Sequence, residues 1–470
     1  MVFRKLAQVS LVVLAGVVSA SMPAFSEDAP AAKAAAAPAP AVVKEDIKPI
    51  FCPALSEDKT YDGRYDSYRK LIAGDDGWIF RTGNDLQTHL SINDAAIKMI
   101  ADWQEKLKEK GIEFVMVYVP TRGMIHSDHI SEEDKKTYGF TDVDAVWDDY
   151  RDTIGKIRDA GINVVDVPRP AAGTPFFYKR DHHWNASGAK ATALAVSEYV
   201  KKMPVYEKLA KTKFVTQKKE PYDFFGTTDK VFSKVCNTKQ PPERINIYMT
   251  ERAQAAGAEG DLFGEQPEPE VVLMGTSNST WEPSFSNFEG FLKEALSTDI
   301  LNMAVSGGGI DTAMIKYMNS DHKKANKAKL IIWEVPGYYD LNKHQGLFRQ
   351  AIPGLYGDCG KENLAEATGV AVDDENVVLL EDLADKNMTG SDYYLYLNFS
   401  KPIKKPVMVD FRFPKDRDRT KIKRSDRYKP DGEFYLALKN GKKNLDEVSI
   451  ELAEEDRKDV KVDARICKIP

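Results

Sequence analysis

The sequence predicts an α/β domain with a mostly parallel sheet, followed by a smaller antiparallel β domain. Three observations predict it. Apolar runs at 114–119, 271–274, 300–304 and 330–335, broken only by Asn302 and Glu334, read as strands buried on both faces. Segments with apolar residues at helical spacing, at 94–110, 143–160, 186–202 and 288–296, separate them. After Cys359 the texture changes to short alternating runs divided by turn residues, the pattern of an antiparallel sandwich.

Taken in order, the chain begins with Arg4 and Lys5. An apolar run at 6–20 follows, broken only by Gln8, Ser10, Gly16 and Ser19, with Ala24 and Ser26 at cleavage positions. Residues 1–26 therefore read as a secretory signal peptide; the run is shorter than the ~20 residues a membrane span needs. Residues 27–45 are an Ala/Pro-rich spacer. The α/β domain is expected over 46–358. It opens with the turn 74–77 and a strand at 78–80. Asn93 is placed to cap the helix at 94–110, which ends at Gly111. The strand 114–119, the helix 143–160 and a strand at 163–167 follow. Asn185 caps 186–202. Residues 203–265 interrupt the alternation and read as an irregular insertion. The β domain is expected over 359–470, with strands at 393–398, 407–413, 433–438 and 448–452.

At 470 residues, 42% apolar and 29% charged, this is an ordinary globular composition. A net charge of -6 is too mild to imply nucleic acid binding, and no zinc-finger spacing is present. Four cysteines, Cys52, Cys236, Cys359 and Cys467, suggest two disulfides in an exported chain, and four cysteines allow three pairings. None lies in a Cys-x-x-Cys, so neither a metal nor a redox cofactor is expected.

The chemistry concentrates at Lys179-Arg180-Asp181-His182-His183-Trp184-Asn185, just before a helix. In an extended loop, residues two apart project to one side. Asp181 would then hold one imidazole nitrogen of His183 while the other faces a nucleophile, with His182 pointing away. Gly275-Thr276-Ser277-Asn278-Ser279 supplies that nucleophile: a turn at the carboxyl end of a buried strand, where ligands of open parallel sheets bind. A polar turn of this kind is common without function, and Ser279 is a weaker rival. The conjunction with Asp181 and His183 favours Ser277. The chain order Asp, His, Ser differs from the Ser-first order of α/β-hydrolases.

Other residues fall around this pair. Gly307, in the run Ser306-Gly307-Gly308-Gly309 after a strand, is a candidate second oxyanion donor. Tyr338 and Tyr339 follow the strand 330–335 and are placed to line a pocket. Arg122, after the strand 114–119, is placed to meet an anionic group. Residues 401–429 carry twelve Lys or Arg against four Asp. With Tyr396 and Tyr428 nearby, cations such as Lys404, Lys405, Arg412 and Arg417 suit an acidic polysaccharide.

The chain resembles the alginate O-acetyltransferase proteins of the AlgX/AlgJ family, periplasmic members of the SGNH (GDSL-like) hydrolase group. The resemblance rests on residues 74–80, on Asp181-His182-His183-Trp184-Asn185, on Gly275-Thr276-Ser277 and on Trp333-Glu334-Val335-Pro336. It implies an SGNH hydrolase-like parallel-sheet domain with Ser277 as nucleophile, His183 as general base and acid, and Asp181 orienting the His. It also implies a C-terminal carbohydrate-binding β-sandwich, as in AlgX-type members, and disulfides Cys52–Cys236 and Cys359–Cys467. One departure is that none of the six Trp lies after Trp333, whereas the AlgX-type binding face uses a Trp.

The function expected is a periplasmic O-acetyltransferase that passes an acetyl group through an acetyl-serine onto mannuronate hydroxyls of alginate or a similar acidic exopolysaccharide. The acetyl donor is left open, and other proteins of a secretion complex are expected partners. Two alternatives are a polysaccharide acetylesterase and a non-catalytic polymer-binding scaffold.

Overall fold

Runs rich in Val, Ile, Leu and Met, with few polar residues, build the sheet that carries the site. The computed structural model describes residues 52–61, 63–253, 268–282, 285–429 and 431–470. The signal peptide and spacer expected at 1–45 lie outside these.

A hairpin of Leu71–Ala73 (β1) and Ile79–Arg81 (β2) comes first; β2 pairs with β1 and not with the main sheet. Glu113–Val119 (β3) and Val164–Val165 (β4) are adjacent parallel strands. The segment expected to be irregular is ordered as two antiparallel pairs, Phe214–Lys218 (β5) with Tyr248–Arg252 (β8) and Tyr222–Phe224 (β6) with Glu243–Ile245 (β7). The helix Thr227–Val235 lies between them. These strands are short and largely exposed, so they lack the apolar run or clean alternation that marks a strand in sequence.

Val271–Met274 (β9), Ile300–Asn302 (β10) and Leu330–Pro336 (β11) complete a five-stranded parallel sheet in the order β10-β9-β11-β3-β4. The central strand β11 is buried along its whole length. It is last in sequence but inserts between β9 and β3, and such a change of winding direction opens a crevice at the carboxyl ends. Helices Asp94–Glu109, Val143–Asp159, Ala186–Val200 and Phe288–Leu296 cover the sheet. Asn93 accepts from the Ala96 N–H, and Asn185 from those of Ser187 and Gly188, the caps their sequence positions predict.

The C-terminal region is a sandwich of two four-stranded antiparallel sheets. Its strands are Ala365–Ala371 (β12), Asn376–Leu380 (β13), Tyr393–Phe399 (β14), Val407–Phe413 (β15), Asp416–Ile422 (β16), Glu433–Ala437 (β17), Glu447–Glu451 (β18) and Lys461–Lys468 (β19). One sheet runs β12-β19-β14-β17 and the other β13-β18-β15-β16. Its core, with Leu395, Phe411, Leu436 and Ile450 at its centre, is separate from that of the α/β region. The two regions belong to one compact unit. Arg349, on the helix Gln345–Gly354, reaches the Ala437 carbonyl and Asp418 of the sandwich. Disulfides join Cys52 to Cys236 and Cys359 to Cys467, the pairing the family resemblance implies. Among the described residues no helix is long and apolar enough to cross a membrane.

Candidate active site

Two loops meet at the carboxyl end of the sheet. The first runs from Phe177 to Trp184, which bridge each other in antiparallel fashion, so Asp181 and His182 stand at the tip of a tight reversal. The extended conformation expected here is not what sets the geometry. Asp181 Oδ1 accepts the His183 backbone N–H at 2.8 Å, an Asx-turn, and accepts from His183 Nδ1 at 2.5 Å. One carboxylate oxygen thus fixes both the backbone and the ring of His183.

The second loop is the turn after β9. Its Ser277 Oγ lies 2.7 Å from His183 Nε2. With Nδ1–H committed to Asp181, Nε2 is the ring's acceptor and the Ser277 hydroxyl is the donor. The loops are held in register by Trp184, whose indole N–H donates to the Asn278 carbonyl at 2.9 Å. The residue after the histidine thus grips the residue after the serine.

The turn also rests on Glu334, a fully buried residue of β11. Its carboxylate accepts from the Thr276 N–H at 2.8 Å, the Thr276 hydroxyl at 3.0 Å, Asn278 Nδ2 at 3.3 Å and the Ser279 hydroxyl at 3.1 Å. A Cβ on Gly275 would lie 2.7 Å from that carboxylate and 2.5 Å from Ser279 Oγ, so only glycine fits there. Sequence reasoning noticed the Trp333-Glu334 dipeptide but gave the Glu no role. A carboxylate in an otherwise apolar strand is the signal that marks it. Ser279, the rival nucleophile, is buried and spends its hydroxyl on Glu334.

Burial works to raise the Asp181 carboxyl, but the charge and hydrogen bonds of His183 outweigh it and hold the group well below the usual carboxylate range. Asp181 Oδ2 also accepts the Thr227 N–H at 2.6 Å, from the insertion helix Thr227–Val235. The same Thr227 bonds His182 Nδ1 through its hydroxyl at 2.9 Å. His182 does not point away as expected. Its ring centroid is 3.9 Å from that of His183, tilted by 35°. Burial, then the neighbouring His183, push its pKa well down, so a neutral imidazole faces the ring of His183. Glu334 is moved the other way: burial raises its carboxyl despite the four donors.

The remaining expected residues separate. Arg122 is buried and directs its donors to the carbonyls of Ile79, Tyr178 and Lys179 and to Asp85, with its guanidinium near the rings of both Trp78 and Phe80. It clamps the base of the Asp181 loop and has no donor left for an anionic ligand. Tyr338 lines a small cavity with His182, Asn278 and Phe177; Tyr339 packs on it with ring centroids 4.8 Å apart. Gly307 has a left-handed φ of 71° and faces the Arg427 side chain of the sandwich, 3.3 Å from a Cβ placed there. Among the described residues no hydrogen bond links Gly307 to the Ser277 turn.

In the sandwich, Tyr396 is buried and packed against Tyr435 with ring centroids 5.4 Å apart, so it offers no face to a sugar. Tyr428 is half-buried and bonded to Asp431 and Asn319. Alternation within β14 turns Tyr396 inward, against the helical region, a direction composition alone does not reveal. Arg412, Arg417 and Lys405 are exposed but paired with Glu447, Asp410 and Glu455. Lys404, also exposed, makes no ion pair among the described residues. Two groups have the proximity to hold a metal ion: Asp181, His182 and His183, and His126, Asp128 and His129. In the first, Nδ1 of each His is already committed to Asp181 or Thr227; in the second, His126 Nε2 accepts the Phe177 N–H.

A hydroxyl–imidazole–carboxylate line at the carboxyl end of a five-stranded parallel sheet is the arrangement of an SGNH hydrolase-like domain. Residues 71–337 match the family model described as SGNH hydrolase-like domain, acetyltransferase AlgX, and the chain belongs to that family. The alginate biosynthesis protein AlgX of Pseudomonas aeruginosa is 31% identical over 428 residues, covering 89% of this chain and 88% of that protein. AlgX of Azotobacter vinelandii is 30% identical over 436 residues. The probable alginate O-acetylase AlgJ of P. aeruginosa is 28% identical over 291 residues, 57% of this chain. The solved structure of P. aeruginosa AlgX superposes with a TM-score of 0.77 at 28% identity, over 89% of this chain and 99% of that one.

Proposed function

We propose that this protein is an exported O-acetyltransferase whose acceptor is an alginate-like acidic polysaccharide, and that Ser277, His183 and Asp181 carry the reaction. The observation that supports this most is the 2.7 Å contact between Ser277 Oγ and His183 Nε2, with Asp181 behind the ring, in a chain of an acetyltransferase family.

The serine oxygen attacks the carbonyl carbon of an acetyl ester donor while its proton passes to Nε2. The oxyanion that forms is met by the Ser277 N–H, which makes no hydrogen bond among the described residues. Its collapse breaks the bond to the donor's alcohol oxygen, which leaves with the proton from His183. The products are acetyl-Ser277 and the free alcohol. A sugar hydroxyl then attacks the acetyl carbon, gives its proton to Nε2, and Ser277 departs and recovers that proton. Asp181, held ionised, stabilises the imidazolium formed in each half.

The two disulfides fit an oxidising compartment, which with the leader-like start favours the periplasm. The sandwich would hold the polymer through its exposed cations. Lys415, Lys421, Lys423 and Arg427, like Lys404, make no ion pair among the described residues and are better placed for this than the paired arginines.

The test supplies an acetyl ester donor with and without deacetylated polymannuronate. Acetyl transfer to polymer that vanishes in Ser277→Ala and His183→Ala is expected. Donor hydrolysis with no transfer would make the protein an esterase, and turnover unchanged in Ser277→Ala would overturn the assignment.

A further inference from the structure

Of the six tryptophans, five are no more than 3% exposed, while Trp281 is 37% exposed. It lies four residues after Ser277, and Thr280 and Ser286 on either side of it are tied to the nucleophile turn. The Thr280 hydroxyl donates to the Ser277 carbonyl at 3.0 Å, and the Ser286 hydroxyl donates to the Asn278 carbonyl at 3.1 Å. Phe285, at the far end, sits at φ 50°, a conformation a bulky residue adopts only when its surroundings impose it.

The rings form a continuous ridge. Trp281 meets Phe285 edge-on at 5.6 Å, and Phe285 lies 5.0 Å from Tyr222, itself 48% exposed. Trp281 also walls a cavity of about 230 Å³ shared with Ser279, Asn287, Glu289, Lys293 and Met249. Large aromatic surface left in water beside a reacting group marks a contact site. Packing does not require this exposure, since the chain buries every other indole.

We propose that Trp281, with Phe285 and Tyr222, is the platform on which a pyranose ring of the acceptor polysaccharide stacks beside Ser277. This rests on the reading of Ser277 as the acetyl-carrying residue. A sugar fits better than an apolar protein face because the cavity that Trp281 walls is lined largely by polar groups. Asn287, Glu289 and Lys293 line the same cavity and can exchange hydrogen bonds with ring hydroxyls, while the indole face takes the C–H face of the sugar. The ridge also supplies, within the α/β region, the tryptophan surface that the sandwich lacks.

The experiment titrates short deacetylated mannuronate oligomers into the mature chain and follows tryptophan emission, then measures acceptor KM. Emission is expected to shift in the wild type and to stay flat in Trp281→Phe. Trp281→Ala is expected to raise acceptor KM about tenfold with kcat at saturating acceptor changed less than twofold, and Trp281→Tyr to recover most of the loss. An emission shift that survives in Trp281→Phe, or an acceptor KM unmoved in Trp281→Ala, overturns the proposal. Donor turnover in the wild type, measured without acceptor, reports on Ser277 separately. If it is absent the catalytic reading fails, and the emission titration still decides whether the ridge binds sugar.

Discussion

The backbone N–H of Thr276 donates to the carboxylate of Glu334 at 2.8 Å, which ties the turn carrying Ser277 to the central strand of the sheet. Three further donors from Thr276, Asn278 and Ser279 converge on the same group. Glu334→Gln would turn an amide N–H toward those donors and leave at least one buried group without a partner. The expected cost is about 2 kcal/mol of stability, read from urea unfolding. Donor turnover should fall by roughly 10²-fold, since small misplacements of a reacting group cost that much. Wild-type turnover in this variant would mean that Glu334 only fills space.

The stacking of His182 on His183 gives a second expectation. Thr227→Val keeps the backbone N–H on Asp181 but removes the hydroxyl that fixes the His182 ring. Turnover should drop by about fivefold, the worth of one hydrogen bond. His182→Ala should drop it further, and His182→Phe, which keeps a ring against His183, should recover part of the loss. Equal turnover in the Ala and Phe variants would remove stacking as the reason.

The reach of sequence reasoning follows from where its signals lie. The strands of the parallel sheet were legible because burial on both faces leaves them mostly apolar, with Asn302 and Glu334 as exceptions. Ser277, His183 and Asp181 were legible because their residue types and strand-end positions carry meaning without knowledge of packing. The strand Asp416–Ile422 was not, since its outward cations read as a charge run while Asp418 turns inward to meet Arg349. Arg122 was misjudged because a charged residue after a strand looks like a ligand-binding group until the structure shows its hydrogen bonds going to neighbouring backbone. Glu334 was passed over because nothing in the sequence says that the turn carrying Ser277 packs against its strand.

Arg122 is therefore expected to matter for folding. Its guanidinium reaches the carbonyls of residues 79, 178 and 179 and the Asp85 carboxylate together. Arg122→Lys retains the charge but not the planar fork, so several buried acceptors lose their partner. A loss of roughly 3–5 kcal/mol is expected in urea unfolding. An anion-binding role would instead predict near-normal stability with weakened ligand binding.

The last expectation concerns pH. Asp229, on the helix that holds Thr227, is buried, and burial pushes its carboxyl up to about 6 despite the opposing charge of Arg180. An unfolded aspartate titrates near ~3.9, so between about pH 4 and 6 the folded chain binds more protons than the unfolded one. Stability contributed by the protonated group is present below the lower value and declines as pH rises through the upper one. Asp229→Asn retains an oxygen that can accept the Gly226 N–H, as Asp229 does at 3.0 Å, and removes the titration. The wild type should therefore lose stability relative to Asp229→Asn on going from pH 4 to pH 6, by on the order of 2 kcal/mol. Parallel Tm profiles for the two proteins across that window would show that Asp229 stays charged and that its pairing with Arg180 outweighs burial.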